Sequence, residues 1–201
     1  MQASEQGVGK DKAARYQLVP RTLIFVTSIN PATGSEEILL IKGAPSKRLW
    51  ANQYNGIGGH MEPGEDFLAA ARRELAEESG LADVELTLRG LINIAVHPDG
   101  EAPSGVGVFV FTGHTSSREI SASGEGGLHW VPVTAIESLP LVDDLYQLLP
   151  LLRSSQAMIY GHYQPDETGE MTYRFHQQVS VHAQSGTSSN ENRDADSRRN
   201  N

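Results

Sequence analysis

Three glutamates stand close together in the segment ARRELAEESG, at positions 74, 77 and 78. In a helix, Glu74 and Glu78 would be one turn apart and Glu77 would lie slightly further round the same side. Like charges at this spacing destabilise a helix by about 0.2–0.5 kcal/mol per pair. A cation bound among the carboxylates would offset this repulsion and give the cluster a use. Mg²⁺ takes oxygen ligands and keeps waters for substrate phosphates. The cluster predicts a magnesium site, and the alternative is a solvated glutamate-rich helix.

A helix is the element that must position these carboxylates. Leu68, Ala71 and Leu75 recur at i, i+3 and i+7, which is the spacing of one apolar helical stripe. The glutamates lie along the border of this stripe. We therefore predict a helix over roughly Phe67–Ser79 that ends at Gly80, because glycine favours the left-handed conformation at a helix C-terminus.

Residues on both sides of the cluster complete a longer pattern, G-x5-E-x7-R-E-U-x-E-E-x-G-U, in which U is a bulky aliphatic residue. The chain matches it at Gly59, Glu65, Arg73, Glu74, Leu75, Glu77, Glu78, Gly80 and Leu81. This segment resembles the Nudix box, and the chain is identified from it as a member of the Nudix hydrolases. The resemblance implies hydrolysis of a nucleoside diphosphate linked to a further group, with divalent cations.

The same resemblance implies the metal and catalytic residues. Glu74, Glu77, Glu78 and the carbonyl of Gly59 are expected to bind Mg²⁺, for which Mn²⁺ is a possible substitute. Glutamates and a glycine carbonyl supply oxygen ligands, and glycine lets the backbone approach the ion. Arg73 is expected to pair with Glu65 across the loop and the helix and to hold the carboxylates in position.

The residue that accepts the proton of the attacking water is left open between two glutamates. One is Glu77, and the other is Glu125, which lies five residues before Trp130. Many Nudix hydrolases place an acidic residue at the second position. A surface loop carboxylate is the alternative for Glu125.

The segment YNGIGG, which starts at Tyr54, resembles the W-N-G-F-G-G segment of the 8-oxo-dGTP diphosphatases, the MutT-type nucleoside triphosphatase subgroup. The asparagine of that segment reads the purine edge, and Asn55 occupies its position. An amide suits this task because it offers both a donor and an acceptor. The alternative is that Asn55 forms a turn before the loop.

A pair of aspartates further along resembles the acidic pair that binds the modified base in the same subgroup. Asp143 and Asp144 are adjacent, so their pKa values could be split and one could donate a proton. Helix N-capping is the alternative for both. The aromatic residue expected before them is replaced by Leu141. Lys42 is a candidate phosphate contact, with solvated surface as its alternative.

Composition restricts the partners. The formal net charge is −9, which argues against binding a nucleic-acid backbone. The chain has no cysteine, and it shows neither a signal peptide nor an apolar run of membrane length. We expect a cytoplasmic protein, monomeric or homodimeric, that binds a small nucleotide and neither nucleic acid nor membrane.

The order of elements predicts one domain of the α/β (α+β) class over residues 16–182, flanked by disordered polar tails at 1–15 and 183–201. The resemblance implies the Nudix αβα sandwich, a mixed β-sheet with helices on both sides. Strands are predicted at Arg21–Ile29, Glu37–Lys42, Val84–Val96, Val106–His114 and Leu128–Val133, short helices near Thr134–Glu137 and Asp143–Leu152, and a closing hairpin from Gln156–Tyr163 and Glu170–His176.

Three functions are consistent with the residues. The favoured one converts a purine nucleoside triphosphate, an oxidised purine included, to the monophosphate and pyrophosphate. The second keeps the enzyme but takes ADP-ribose or another nucleotide sugar. The third is a non-catalytic Nudix-fold sensor, which the intact box disfavours.

Overall fold

The computed structural model describes residues 16–96, 104–121 and 126–178. The predicted tails and Glu125 lie outside these ranges. Within them, no helix combines the length and the apolar character that a membrane crossing requires.

Eight strands of the described chain form one mixed sheet, in the order β3-β2-β1-β5-β4-β7-β8 with β6 paired to β2. The pairs β1/β5 and β4/β7 are parallel, and the other pairs are antiparallel. The strands are β1 (Gln17–Ile29), β2 (Glu36–Gly43), β3 (Tyr54–Asn55), β4 (Glu85–Val96), β5 (Ser104–His114), β6 (Gly126–Pro132), β7 (Ile159–Pro165) and β8 (Met171–Gln177), and the helices are α1 (Phe67–Ser79), a 3₁₀ helix (Val133–Ser138) and α2 (Leu145–Ser154).

Successive side chains along the strands point to opposite faces of the sheet and pack into two separate cores. Ile24 and Val26 of β1 pack with α1 on one face of the sheet, whereas Phe25 between them packs with α2 on the other. On α2, the buried leucines 145, 148, 149 and 152 follow helical spacing. A mixed sheet covered by helices on both faces confirms the predicted fold class.

Helix α1 begins and ends where the sequence predicts. The carboxylate of Asp66 accepts hydrogen bonds from the backbone N–H groups of Leu68 and Ala69, at 2.9 and 2.8 Å, which caps the N-terminus. Gly80 ends the helix with φ of 78°, and its N–H donates to Ala76. The buried residues Ala71 and Leu75 fix the rotation of the helix on the sheet.

Several local details differ from the sequence predictions: β1 begins at Gln17 rather than Arg21, and the first strand of the hairpin is Ile159–Pro165 rather than Gln156–Tyr163. The two-residue strand β3 lies in a segment predicted to be irregular, because so short a strand carries no readable alternation. Asp144 stands at the N-cap position of α2, but its side chain makes no capping hydrogen bond. The capping alternative for Asp144 is therefore wrong.

Candidate active site

A glycine turn lies between β1 and α1. Gly58 has φ of 148°, and a Cβ there would come within 2.2 Å of the Thr22 carbonyl oxygen. A Cβ on Gly59 would lie 2.4 Å from Oε1 of Glu74. The carbonyl of Gly59 accepts a hydrogen bond from the N–H of Thr22 at 2.9 Å. Glycine at both positions lets the backbone approach strand β1 on one side and the carboxylate of α1 on the other.

Arg73 connects the acidic residues around this turn. Its guanidinium donates to Glu65 through Nη2 at 2.7 Å and Nε at 3.1 Å, a two-pronged pairing that fixes both side chains. Nη1 donates to Glu74 at 2.9 Å and to Glu77 at 3.3 Å. Nη2 also donates to the carbonyl of His60 at 3.0 Å. One side chain thereby aligns three carboxylates of the loop and helix.

These contacts stabilise the charged forms of Glu65 and Arg73. The hydrogen bonds from Arg73 hold the pKa of the Glu65 carboxyl below its usual value, helped by the backbone N–H of Glu62. The hydrogen bonds to Glu65 and Glu74 raise the pKa of Arg73. The surroundings of Arg73 and Glu65 therefore favour ionised side chains.

The three glutamates of α1 differ in exposure. Glu77 keeps 62% of its side chain exposed, whereas Glu74 keeps 13%. Glu78 is buried, and its Oε2 lies 3.4 Å from the N–H of Gly58. Within residues 16–96, 104–121 and 126–178, no three acidic or histidine groups converge closely enough to hold a metal ion by themselves. Glu74 and Glu78 instead each approach one glycine of the turn, Gly59 and Gly58 respectively.

Asn55 and Glu78 line the same small cleft, of about 90 Å³. Asn55 lies on β3 opposite Ile41, and its Oδ1 accepts a hydrogen bond from the N–H of Gly56 at 2.8 Å. The cleft is lined by Ile41, Gly43, Lys47, Trp50, Gln53, Asn55, Gly56, Gly58 and Glu78. The structure thus brings together a predicted base-reading residue and a predicted metal ligand.

The aspartate pair follows a segment that is hydrogen-bonded to β3. The N–H of Val142 donates to the carbonyl of Tyr54 at 3.0 Å, and Tyr54 forms a parallel bridge with Leu141. The aspartates therefore begin two residues beyond Leu141, which pairs with the strand that carries Asn55. Asp143 is exposed and Asp144 is partly buried.

Asp144 has a partner that the sequence reasoning missed. The hydroxyl of Tyr163 on β7 donates to Oδ2 of Asp144 at 2.9 Å. Burial raises the pKa of Asp144 to about 6, although the hydrogen bond from Tyr163 opposes this rise. Tyr173 and Phe175 of β8 pack edge-on against the Tyr163 ring at 4.8 and 5.6 Å. The alternating aromatic residues of the predicted hairpin were the only sequence signal for this cluster.

Lys42 lies apart from the Glu78 cleft. It is next to Ile41 on β2, and successive residues of a strand point to opposite faces. Its Nζ lies 5.4 Å from the centre of the Tyr54 ring, and the residue lines a separate hollow beside His129. The structure does not bring Lys42 to the carboxylates of α1.

Comparison with known proteins decides the family. The model of the NUDIX domain matches residues 21–152. The chain belongs to the Nudix family. Nudix hydrolases act on pyrophosphate bonds of nucleotides and generally use divalent metal ions, so this chain is a Nudix hydrolase of nucleotide substrates. Tyr163 and the β7–β8 hairpin lie beyond the matched residues.

Individual relatives agree with this assignment. The uncharacterized Nudix hydrolase YvcI of Bacillus subtilis is 27% identical over 137 residues, which cover 68% of this chain and 83% of that protein. The oxidized purine nucleoside triphosphate hydrolase of Danio rerio is 31% identical over 126 residues, which cover 62% and 79%.

Solved structures share the fold. The MutT protein of Bacillus halodurans has a TM-score of 0.65 at 23% identity, covering 79% of this chain and 97% of that one. The NUDIX domain of Shewanella oneidensis NrtR, solved with ADP ribose, has a TM-score of 0.60 at 16% identity, covering 76% and 97%.

Proposed function

We propose that this Nudix hydrolase converts a purine nucleoside triphosphate, an oxidised purine included, to the monophosphate and pyrophosphate with Mg²⁺. The observation that carries the proposal is the cleft shared by Asn55 and Glu78, beside the glycine turn. It places an amide suited to a base edge close to a carboxylate suited to a metal ion. The 31% identity to an oxidized purine nucleoside triphosphate hydrolase supports the choice of substrate.

We propose that Mg²⁺, with Mn²⁺ as a substitute, binds at the glycine turn, where waters and substrate phosphates would complete a coordination shell that the described acidic groups do not close by themselves. Glu74, Glu77, Glu78 and the Gly59 carbonyl offer only hard oxygen donors, and the contact between Gly59 and Glu74 leaves no room for a side chain. The Gly59 carbonyl, which already accepts one hydrogen bond, has a second lone pair. When bound, the ion would polarise a phosphoryl oxygen and lower the pKa of a coordinated water.

The surrounding residues orient these donors and move the proton. Arg73 keeps Glu74 and Glu77 aligned through its Nη1 group and acts as a positioning residue. The proton of the attacking water passes to Glu77, whose exposed side chain can reach a substrate-bound water. Glu125 remains the second candidate for this proton.

The base would be read by Asn55, Asp143 and Asp144. A carboxyl whose pKa lies near 6 can be protonated close to neutral pH, so Asp144 can donate a hydrogen bond to an acceptor on the base. Tyr163 fixes Oδ2 of that carboxyl. Lys42 remains a proposed phosphate contact only for a substrate that reaches the hollow beside His129. We assign this activity to the domain proposed at residues 16–182.

The test is pyrophosphate and phosphate release with Mg²⁺ from 8-oxo-dGTP, dGTP, other nucleoside triphosphates, ADP-ribose and diadenosine polyphosphates. The proposal predicts that a purine nucleoside triphosphate is the best substrate and that Mn²⁺ also supports turnover. Preferential turnover of ADP-ribose would overturn the substrate and return Asn55, Asp143 and Asp144 to structural roles. Binding of a nucleotide without turnover of any substrate would favour the sensor.

A further inference from the structure

Trp50 adopts a backbone conformation that is unfavourable for its type. It lies in the loop between β2 and β3, and its φ is 60°. Bulky residues at positive φ are outliers, because the Cβ crowds the neighbouring carbonyl oxygen. Asn52, two residues on, has φ of 63°. A strained residue persists only where the surrounding structure holds it, and such residues cluster at functional sites.

Backbone contacts fix this loop against β2. The N–H of Asn52 donates to the carbonyl of Gly43 at 3.0 Å, and the N–H of Gly43 donates to the carbonyl of Gln53 at 2.9 Å. A Cβ on Gly43 would lie 2.4 Å from the carbonyl oxygen of Trp50. The backbone at Trp50 is therefore held in place from β2.

The position of Trp50 suggests what its ring does. The residue lines the cleft that contains Asn55 and Glu78, yet it keeps 45% of its surface exposed. Leu141, which replaces the stacking aromatic expected before the aspartate pair, is only 1% exposed and belongs to the core. Leu141 therefore offers no surface to a base, whereas Trp50 is a partly exposed aromatic residue of the cleft lining.

We propose that Trp50 forms the aromatic wall on which the nucleobase of the substrate stacks. The inference rests on the proposed function, because it assumes a nucleotide in the Asn55 and Glu78 cleft. Stacking of a base on an aromatic side chain tolerates any base, because each has a π-face. Trp50 would thus supply affinity for the base, and the polar groups of Asn55 and Asp144 would supply selectivity.

Steady-state kinetics on the full chain test the role of the ring. The substitution Trp50→Ala is expected to raise KM for the best nucleotide by roughly 5- to 100-fold and to change kcat little. This increase in KM is the effect of losing one stacked base. Trp50→Phe should recover most of this loss. The matched control is Leu49→Ala, which removes an adjacent, more exposed apolar side chain and should leave KM unchanged. An unchanged KM in Trp50→Ala overturns the inference.

A comparison of two variants separates function from structural support. Trp50→Gly and Trp50→Ala both remove the ring, but only glycine relieves the positive φ. Both should raise KM equally, while Trp50→Gly should melt a few degrees above Trp50→Ala. If KM follows the melting temperature across the two variants, the role of Trp50 is structural.

Fluorescence distinguishes failure of this inference from failure of the proposed function. The chain has two tryptophans, so Trp130→Phe leaves Trp50 as the only reporter. With Mg²⁺, dGMP should change the Trp50 emission, and pyrophosphate, which lacks a base, should not. Turnover of nucleotides without a dGMP-specific change overturns the stacking role alone. Absence of both turnover and any nucleotide-induced change overturns the two together.

Discussion

The two carboxylate regions of the molecule are built on opposite principles. Around α1, the guanidinium of Arg73 contacts Glu65, Glu74 and Glu77 within 3.3 Å, and the hydrogen bonds from Arg73 lower the pKa of Glu65. On the α2 side, Asp144 has a tyrosine hydroxyl as its partner, and burial raises its pKa to about 6. The first environment favours charge, and the second favours a neutral acid.

This difference matches two different tasks. A site for a divalent cation and a polyphosphate needs permanent anions whose orientation is fixed before the ion arrives. A site that reads a base needs a group that can donate as well as accept, which a carboxyl does only when it can be protonated. A substitution in one region should therefore leave the other region unchanged.

The largest effect is expected from Glu78→Gln. The substitution keeps the shape of a buried side chain but removes its charge at the proposed metal site. Turnover should fall roughly 10²–10³-fold or more, the scale of losing one preorganised electrostatic group. Thermal melting should remain close to that of the parent. A variant that keeps most of its activity would show that Glu78 is not a metal ligand.

A smaller loss of turnover is expected when Arg73, which positions the carboxylates, is replaced. Arg73→Gln loses the pairing with Glu65 and the bonds to Glu74 and Glu77, so kcat should fall about 10- to 100-fold. Metal affinity, measured by titrating turnover with Mg²⁺, should fall with it. The control is Arg72→Gln, which removes an exposed neighbour on the same helix. Equal losses of kcat in both variants would show that Arg73 acts only through its contribution to the net charge.

Gly59→Ala tests the close approach of the turn to α1. The added Cβ would lie 2.4 Å from Oε1 of Glu74, which must move away, so turnover should fall by about tenfold while the fold persists. At Gly107, a Cβ would meet only ordinary contacts from 3.4 Å, so Gly107→Ala is the matched control. Full activity in Gly59→Ala would contradict a fixed role for Glu74.

The smallest effect on turnover is expected from Asp144→Asn, whose effect is on pH dependence. Below about pH 4 the carboxyl is protonated in both the folded and the unfolded chain. As the pH rises from about 4 to about 6, the unfolded chain releases its proton first, so the free energy of unfolding falls by at most about 3 kcal/mol. Above about pH 6 this loss is constant.

Asp144→Asn removes that penalty and keeps an acceptor for the Tyr163 hydroxyl. The variant should match the parent near pH 4 and be more stable near pH 8, as measured by urea unfolding at each pH. Asp143→Asn, at an exposed position, removes only one of the smaller causes of the raised Asp144 pKa and should show a much smaller difference. A stability difference that is the same at both pH values would contradict a raised pKa for Asp144.

Sequence-local parts of the molecule were predictable, and contacts between distant segments were not. The bounds of α1 and its end at Gly80 were predicted correctly because periodicity and the glycine are local signals. The bond between Asp144 and Tyr163 joins two elements across a turn, and no spacing encodes it.

Register and backbone strain were equally hidden from the sequence. The register of β2 against β3 decides that Ile41 reaches the cleft while Lys42 lies over Tyr54. That pairing depends on a two-residue strand that no alternation predicts. The positive φ of Trp50 also has no sequence signature, since a tryptophan would be expected to avoid it.

In the proposed function, the α1 carboxylates perform the chemistry and the Asp144 region reads the base. The most direct test is to measure kcat and KM for 8-oxo-dGTP with Mg²⁺ in the parent, in Glu78→Gln and in Asp144→Ala, after confirming that each is folded. Glu78→Gln should lose kcat with little change in KM, whereas Asp144→Ala should raise KM with little change in kcat. The reverse pattern, or a loss of kcat in both variants, would rule out this division of tasks between the two regions.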